Sequence, residues 1–531
     1  MSVAPLHPPL PLVADAPTRR ERVLAVAVAV FPSGKSARNV GWNLLGGLFA
    51  GVAVVVATPV YVARLGLEGY GIVGLWLVMQ VMLGILDIGM GATVVKAFAG
   101  SGPNAEGQAF RRDLLRTLEY FYWGVAAVLA LVLVLSAETI GQHWLKSATL
   151  ASGHVARALQ IMAVALAVQF PISLYSNGLA GLQEHRRMNM LQIAGTVLRF
   201  GGGVLTLLWR ADVVWFFITQ AGVASVQTLA TRYALHRQIA TPSASPASAR
   251  FALVREMWRY SAGMGLSALG SVLLANADRL ALTAMRPAAE LGKYSIAFTA
   301  TGLLQLAIQP FYRSFFPRYS ELVAAGEPER LRHEYFRSCQ LIAGLLIPLG
   351  VLGWTFAPEL LHAWLGRSDE TVTVVFRYLL FAITCSGLMW LPAAFQQANG
   401  WTRLHASMVV AALAVGAPLM IWAIRTRGTA GATTVWVVHG LSGTVELWLM
   451  HRRLLIGDLW NWCRSVLVPP FVMALPVAVI SAWAMPSDLG RWTSLGWIGM
   501  TTLLVVGGVF AARVARVRGK LRLNFAEVGK Q

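Results

Sequence analysis

Apolar runs of about 20 residues recur from Val40 to Ala512, each long enough to cross a bilayer as a helix. A chain patterned this way is a polytopic α-helical membrane protein. Composition agrees: 56% of the residues are hydrophobic and 13% charged, with a mean hydropathy of +0.60. A soluble globular domain carries about 25% charge. The hydropathy pattern predicts spans at 40–63, 71–97, 114–136, 154–178, 189–210, 211–233, 257–277, 288–312, 335–357, 371–395, 406–424, 430–450, 466–485 and 491–512. The expected fold is therefore all-α with about 14 transmembrane helices. The tight pair around Trp209–Asp212 also admits reading as one kinked element.

The formal net charge is +20, but the basic residues do not lie on a water-soluble domain, so nucleic acid is not an expected partner. With the N-terminus placed inside, arginine clusters fall on one side. They include Arg111, Arg112 and Arg116, then Arg186 and Arg187, then Arg452 and Arg453, then the tail from Arg513 to Arg522. Roughly seven in ten Lys and Arg lie on that side, as the positive-inside rule expects. Both termini are then cytoplasmic. Three cysteines (Cys339, Cys385, Cys463) without ligand spacing indicate neither a disulfide framework nor a zinc site.

The organisation follows from the breaks. Residues 1–38 form a Pro- and Arg-rich tail whose apolar piece is too short to span and is read as no signal peptide. Residues 39–233 and 257–450 form two six-helix bundles joined by a polar linker at 234–256. Two further helices occupy 451–512, and a basic tail follows at 513–531. The halves echo each other: LGLEGYGIVGL (65–75) aligns with AELGKYSIAFT (289–299), pairing Tyr70 with Tyr294, and GLQEHRRM (181–188) echoes ANGWTRLH (398–405). An internal repeat in a helical membrane protein is a transporter signature, because sites form where the repeats meet.

No soluble catalytic domain fits in the short loops, and HExxH, GxSxG and a strand-borne GxGxxG are absent, so an enzyme is not expected. GKS at 34–36 lacks the first P-loop glycine. The informative residues are charges within spans. One near a helix centre costs about 2.5–3.5 kcal/mol on insertion scales, so it faces a bundle interior or a watery cavity. Arg199 lies mid-span, beyond easy snorkelling, with a buried structural ion pair as the competing reading. Asp87 lies equally deep. In a continuous helix its partner in sequence, Lys96, would sit on the opposite face about 13 Å away, so the two need separate explanations. Lys96, Arg64 and Arg377 are close enough to interfaces to snorkel. Glu446 and His439 share one helix face, the histidine more simply a packing residue. Gln305, Gln309 and Arg313 draw a polar stripe along one helix, lining either a cavity or a helix interface. Asp278 and Arg279 close span 257–277 on the outer side, with Arg279 expected in water. Glycines in the first span (Gly41, Gly46, Gly47, Gly51) and the seventh (Gly263, Gly265, Gly270) allow close packing or bending.

The run from Asn39 to Ala99 resembles the opening of polysaccharide transporters, the O-antigen flippase-like (Wzx-type) branch of the multidrug/oligosaccharidyl-lipid/polysaccharide (MOP) superfamily. The resemblance rests on an early Asn (Asn39 or Asn43), Pro59, Leu65-Gly66 with Tyr70-Gly71, and Asp87 with Gly89. Asp278, Gly292 and Tyr294 continue it in the second half. It implies a bacterial inner-membrane flippase that moves undecaprenyl-pyrophosphate-linked oligosaccharide to the periplasmic leaflet by alternating access. It further implies two six-helix bundles around a central cavity, two extra C-terminal helices, and polysaccharide assembly machinery as a partner.

A pyrophosphate head needs cationic donors, and guanidinium suits it geometrically. The expected substrate-binding residues are thus Arg199, Arg313, Gln305, Gln309 and Asn43. Asp87, Asp278 and Glu446 are expected countercharges or coupling groups for an ion, H+ or Na+, with no other cofactor and no metal site. A cation or drug antiporter of the same superfamily is the nearest rival, and would favour acidic residues. A membrane glycosyltransferase or polymerase on the same carrier would need a longer outer loop.

Overall fold

The computed structural model describes residues 35–87, 90–102, 104–145, 147–239, 248, 272–273, 275–486 and 489–528. Among these, no strand occurs. The first element, α1 (Lys35–Leu86), is two spans joined end to end. Its joint is Gly66, at φ 69° and ψ −177°, a conformation that belongs essentially to glycine and that breaks the helical ladder. The Leu-Gly of the LG-x-x-x-YG signature is therefore the turn between the first two spans. After it come α2 (Met90–Gly100), α3 (Ala105–Thr139), α4 (Ser152–Gln169), α5 (Ile172–Gly181), α6 (His185–Trp209) and α7 (Val213–Ile239). A helical stretch at 275–285 precedes α8 (Ala288–Ala324), α9 (Pro328–Thr355), α10 (Ala357–Leu365), α11 (Glu370–Ala398), α12 (Thr402–Arg427) and α13 (Thr434–Leu454). The short α14 (Leu459–Trp462), then α15 (Val468–Ala484) and α16 (Arg491–Val528), end the chain.

By length and composition, ten helices among the described residues can cross a membrane. Two of them, Phe49–Gly84 and Thr402–Leu454, each hold a turn, at Gly66 and at Gly428–Thr433, and so count as two spans apiece. With α8 (Ala288–Ala324), also a long helix, the described residues are in keeping with the expected count of about fourteen. Most of the seventh span lies outside the described residues, as do the tail at 1–34, most of the linker, and Gly263, Gly265 and Gly270. The pair at Trp209–Asp212 is two helices, not one kinked element: α6 and α7 pack side by side. Thr206 and Thr219 share a hydroxyl hydrogen bond at 2.7 Å, and Gln220 donates to the Arg199 carbonyl at 3.1 Å.

Three expectations need correction. The second span is not one helix over 71–97, because α1 stops at Leu86 and α2 restarts at Met90. Asp87 occupies the break. Its carbonyl accepts Met90 N–H at 2.8 Å, and its carboxylate accepts Gly91 N–H at 3.2 Å and the Tyr122 hydroxyl. A carboxylate on the first free N–H groups of a helix is favourable capping, which explains an acid at this depth. The sixth span runs on to Ile239, into what reads as linker. The seventh does not end at 277, because helix continues through 285 and Asp278 is fully buried.

The two sets of helices meet at an unusually close crossing. A Cβ on Gly71 would collide with the Ala288 carbonyl, and one on Gly292 with the Leu67 carbonyl, so only glycine lets α1 and α8 approach this far. Tyr70, paired with Tyr294 by the repeat, sits fully buried beside the crossing, its hydroxyl 3.2 Å from Thr58 Oγ1 and 3.4 Å from Thr299 Oγ1. The last two spans lean on α9, and α16 also on α10. They thus belong with the second set.

Candidate functional site

Between the two sets lies a cavity of about 300 Å³. Ala50, Gly51 and Val54 of α1 form one wall, Phe200 of α6 another, and Ser295, Phe298, Thr299 and Gly302 of α8 a third. Arg279 is the charged residue among its described lining. The Arg279 guanidinium lies 4.1 Å from the centroid of the Phe298 ring, with one nitrogen donating to Asn276 Oδ1 at 2.8 Å and the Ala275 carbonyl at 3.3 Å. Its Nε has no hydrogen-bond partner and stands 3.9 Å from Asp278 Oδ1. Asp278 itself is not among the cavity lining. Its carboxylate accepts the Tyr294 hydroxyl at 2.5 Å, Trp436 Nε1 at 2.8 Å and the Arg279 backbone N–H at 2.8 Å.

These distances sort the charges. Asp278 is saturated by two side-chain donors and one amide, so it acts as a fixed counterion. Arg279 has five N–H donors and spends few of them on the protein. The chamber therefore presents one guanidinium with spare donors on an aromatic wall, an arrangement that receives an anion. Sequence reasoning placed Arg279 in water because it ended the span too early. The apolar residues Leu280, Ala281, Leu282, Ala284 and Met285 were the signal that the helix continues.

Arg199 stands next to the lining residue Phe200 without lining the cavity itself. Its guanidinium is half-buried, 5.7 Å from the Trp76 ring centroid, and donates to Gln227 Oε1 at 3.2 Å. Gln305, Gln309 and Arg313 lie on α8 at the helical spacing that extends the cavity-lining face of Ser295, Phe298 and Gly302 by nearly three turns. Gln305 is half-buried, while Gln309 and Arg313 are exposed. Asn43 belongs to α1, but its side chain is outside the described ones.

Two buried glutamates tie helices together away from the cavity. Glu446 on α13 accepts Gln396 Nε2 of α11 at 3.0 Å and contacts His405 Nδ1 of α12 at 3.1 Å. Glu119 on α3, which the sequence reading passed over, meets Arg232 and His236 of α7 at 2.7 and 2.9 Å and accepts the Tyr175 hydroxyl at 3.0 Å. Glu68, also passed over, fastens the 147–149 loop to the Gly66 turn. It accepts the hydroxyls of Ser147 and Thr149, both at 2.5 Å, and the amides of Ala148 and Thr149 at 2.9 and 3.0 Å. Their partners lie far away in sequence, so only the fold reveals them. Among the described residues, no group of three His, Cys, Asp or Glu side chains could hold a metal ion.

The sequence matches the family described as "Polysaccharide biosynthesis protein" over residues 36–323, and the MatE family over 264–422. A Shigella flexneri protein named as an O-antigen transporter is 21% identical over 408 residues, covering 76% of this chain and 94% of that protein. Among solved structures, the lipid II flippase MurJ in an inward closed conformation superposes with a TM-score of 0.66 at 9% identity, covering 90% of this chain and 99% of that one. An inward-facing multidrug resistance MATE transporter of the MOP superfamily gives 0.62 at 12% identity, covering 77% and 96%. These two likenesses extend to the fold alone.

Proposed function

We propose, for a chain that belongs to the polysaccharide biosynthesis protein family, the task of flipping a lipid-linked oligosaccharide across a bacterial inner membrane. The protein is a multi-pass transporter of the MOP superfamily and not an enzyme. The substrate implied by the family resemblance is an undecaprenyl-pyrophosphate-linked repeat unit, taken from the cytoplasmic leaflet and released at the periplasmic one, and a guanidinium in the chamber is compatible with its anionic head. The observation that carries this reading is Arg279, whose guanidinium lines an otherwise apolar and hydroxyl-lined chamber and, among the described residues, makes its side-chain hydrogen bonds through one terminal nitrogen alone. A cation would want the reverse polarity, and Asp278, Glu119 and Glu446 are all engaged with protein donors outside the chamber lining. That argues against a drug antiporter.

Size refines the reading. Ligand pockets run about 300–1,000 Å³, and this cavity sits at the low end. It suits a pyrophosphate head group and not a chain of sugars. The sugars would lie along the Gln305, Gln309 and Arg313 face of α8, and the polyprenyl tail would stay in the bilayer. For ion coupling, Glu446 with His405 is the candidate that remains of the three expected acids, because Asp87 caps a helix and Asp278 accompanies Arg279.

The test is a leaflet assay of lipid-linked oligosaccharide in cells carrying Arg279→Ala or Arg279→Lys, at matched protein level. The expected result is carrier trapped on the cytoplasmic side with alanine, and partial flipping with lysine, which keeps the charge and loses the fork. Wild-type flipping by Arg279→Ala would remove the guanidinium from the mechanism. Normal flipping without the gene, with polymer missing, would point to a later enzyme.

A further inference from the structure

Pro59 lies inside the first arm of α1, four residues after Val55. Proline has no N–H, so the Val55 carbonyl lacks its ordinary i+4 helical partner. The partner it has comes from the other set of helices: Trp364 Nε1 donates to the Val55 carbonyl at 2.9 Å. Trp364 is the penultimate residue of α10, a nine-residue helix that ends at Gly366 in the left-handed conformation, φ 75°. The end of α10 is itself held from behind. Arg491, the first residue of α16, donates to the Ala363 carbonyl and, at 2.8 Å, to the Trp364 carbonyl. A continuous line of hydrogen bonds thus runs from the C-terminal helices through α10 to the first span.

We infer that Trp364 is a latch that keeps the Gly66 end of the molecule closed, by occupying the main-chain carbonyl that Pro59 leaves free. The inference rests on the reading of the protein as an alternating-access transporter. Among the described residues, other contacts between the sets at this end include Tyr70 with Thr299, Gly71 with Ala288, Leu67 with Gly292 and Gly74 with Ser295. They are packing contacts or a long hydroxyl pair, whereas the indole bond satisfies an orphaned acceptor. Opening this end, the periplasmic one by the arginine distribution, strips the Val55 carbonyl of its partner at a depth where water is scarce. Losing a hydrogen bond to a carbonyl with no alternative is the costly case. Arg491 gives the two C-terminal helices a task here: they hold α10 so that the second set carries the latch as a rigid part.

The test reads conformation and not transport, so its failure is separate from failure of the flippase reading. Spin labels go on Arg64→Cys and Ser368→Cys, both exposed at the Gly66 end and on opposite sets, in a chain with Cys339, Cys385 and Cys463 replaced by alanine. Distances are measured by pulsed electron paramagnetic resonance in lipid nanodiscs. Trp364→Phe keeps an aromatic ring and removes the donor, and the Pro59→Ala background below separates the lost hydrogen bond from the lost volume. The expected result is a rise of about 3- to 10-fold in the ratio of long to short distances, the effect of one such hydrogen bond. In Pro59→Ala, residue 59 regains an N–H for the Val55 carbonyl, so adding Trp364→Phe should shift the ratio much less. An unchanged distribution in Trp364→Phe overturns the latch, and so does an equal shift in both backgrounds. If Trp364→Phe does not reach the membrane, Arg491→Ala, which releases the end of α10, takes its place with the same two outcomes for the distance ratio.

Discussion

The Asp278 carboxylate takes the Tyr294 hydroxyl at 2.5 Å, in a site with no solvent exposure, while the Arg279 guanidinium beside it turns to the cavity. Removing the acid therefore does two kinds of damage. It orphans the Tyr294 and Trp436 donors and leaves Arg279 without a counterion. Asp278→Ala is expected to cost about 3–5 kcal/mol, the range for breaking a buried ion pair from one side. Asp278→Asn keeps one acceptor oxygen while losing the charge and setting an NH2 against a protein donor, so its loss is smaller than that of alanine but not small. Thermal unfolding in detergent ranks the two. The double variant Asp278→Ala with Arg279→Ala should melt above the sum of the single losses, since no unpaired cation remains. A melting temperature unchanged in Asp278→Ala would refute the counterion assignment.

Arg199 differs from Arg279 in what it touches. It lies over Trp76 and holds Gln227, one residue from the cavity wall. Arg199→Ala is expected to abolish export with protein at normal level in the membrane, if this second guanidinium beside the cavity wall takes part in binding an anionic head group. Quantified surface polysaccharide together with an immunoblot of membranes is the measurement. Wild-type export would leave Arg199 as a packing residue between α1 and α7.

Glu119 reads out stability and not transport. Its partners Arg232 and His236 are about two-fifths exposed, so their charges are screened once the acid is gone. Glu119→Gln is expected to cost about 1–2 kcal/mol, from loss of charge-assisted hydrogen bonds, with the flipping rate per folded molecule unchanged. A thermal melt beside a leaflet assay separates the two quantities. A large fall in flipping at unchanged melting temperature would instead make Glu119 part of the coupling path.

The helices were legible because each span must be apolar for about 20 residues, and a repeated pattern of that length has one physical meaning. The Gly66 turn was legible for a similar reason: a glycine between two such runs marks where the backbone must leave the helical region. Asp87 was singled out by its depth; its cap on the Gly91 amide is local, but its other oxygen takes the hydroxyl of Tyr122, 35 residues away on another helix. Arg279 was visible yet misplaced, because a single adjacent acid looked like a span end. Glu119 was passed over, because its partners lie 113 and 117 positions further on. Local pattern carries burial and periodicity. It does not carry which distant side chain will satisfy a buried charge.

The crossing of Gly71 and Gly292 has a mechanical consequence as a fulcrum. From Gly292, α8 extends about 48 Å toward Ala324 but only about 6 Å toward Ala288, at 1.5 Å per residue. A tilt of about 10° around the crossing sweeps the long end by about 8 Å and the short end by about 1 Å. The far mouth can thus swing widely while the residues at the pivot hardly stir, and the leverage available for prising apart the Gly66 end by the same rotation is small.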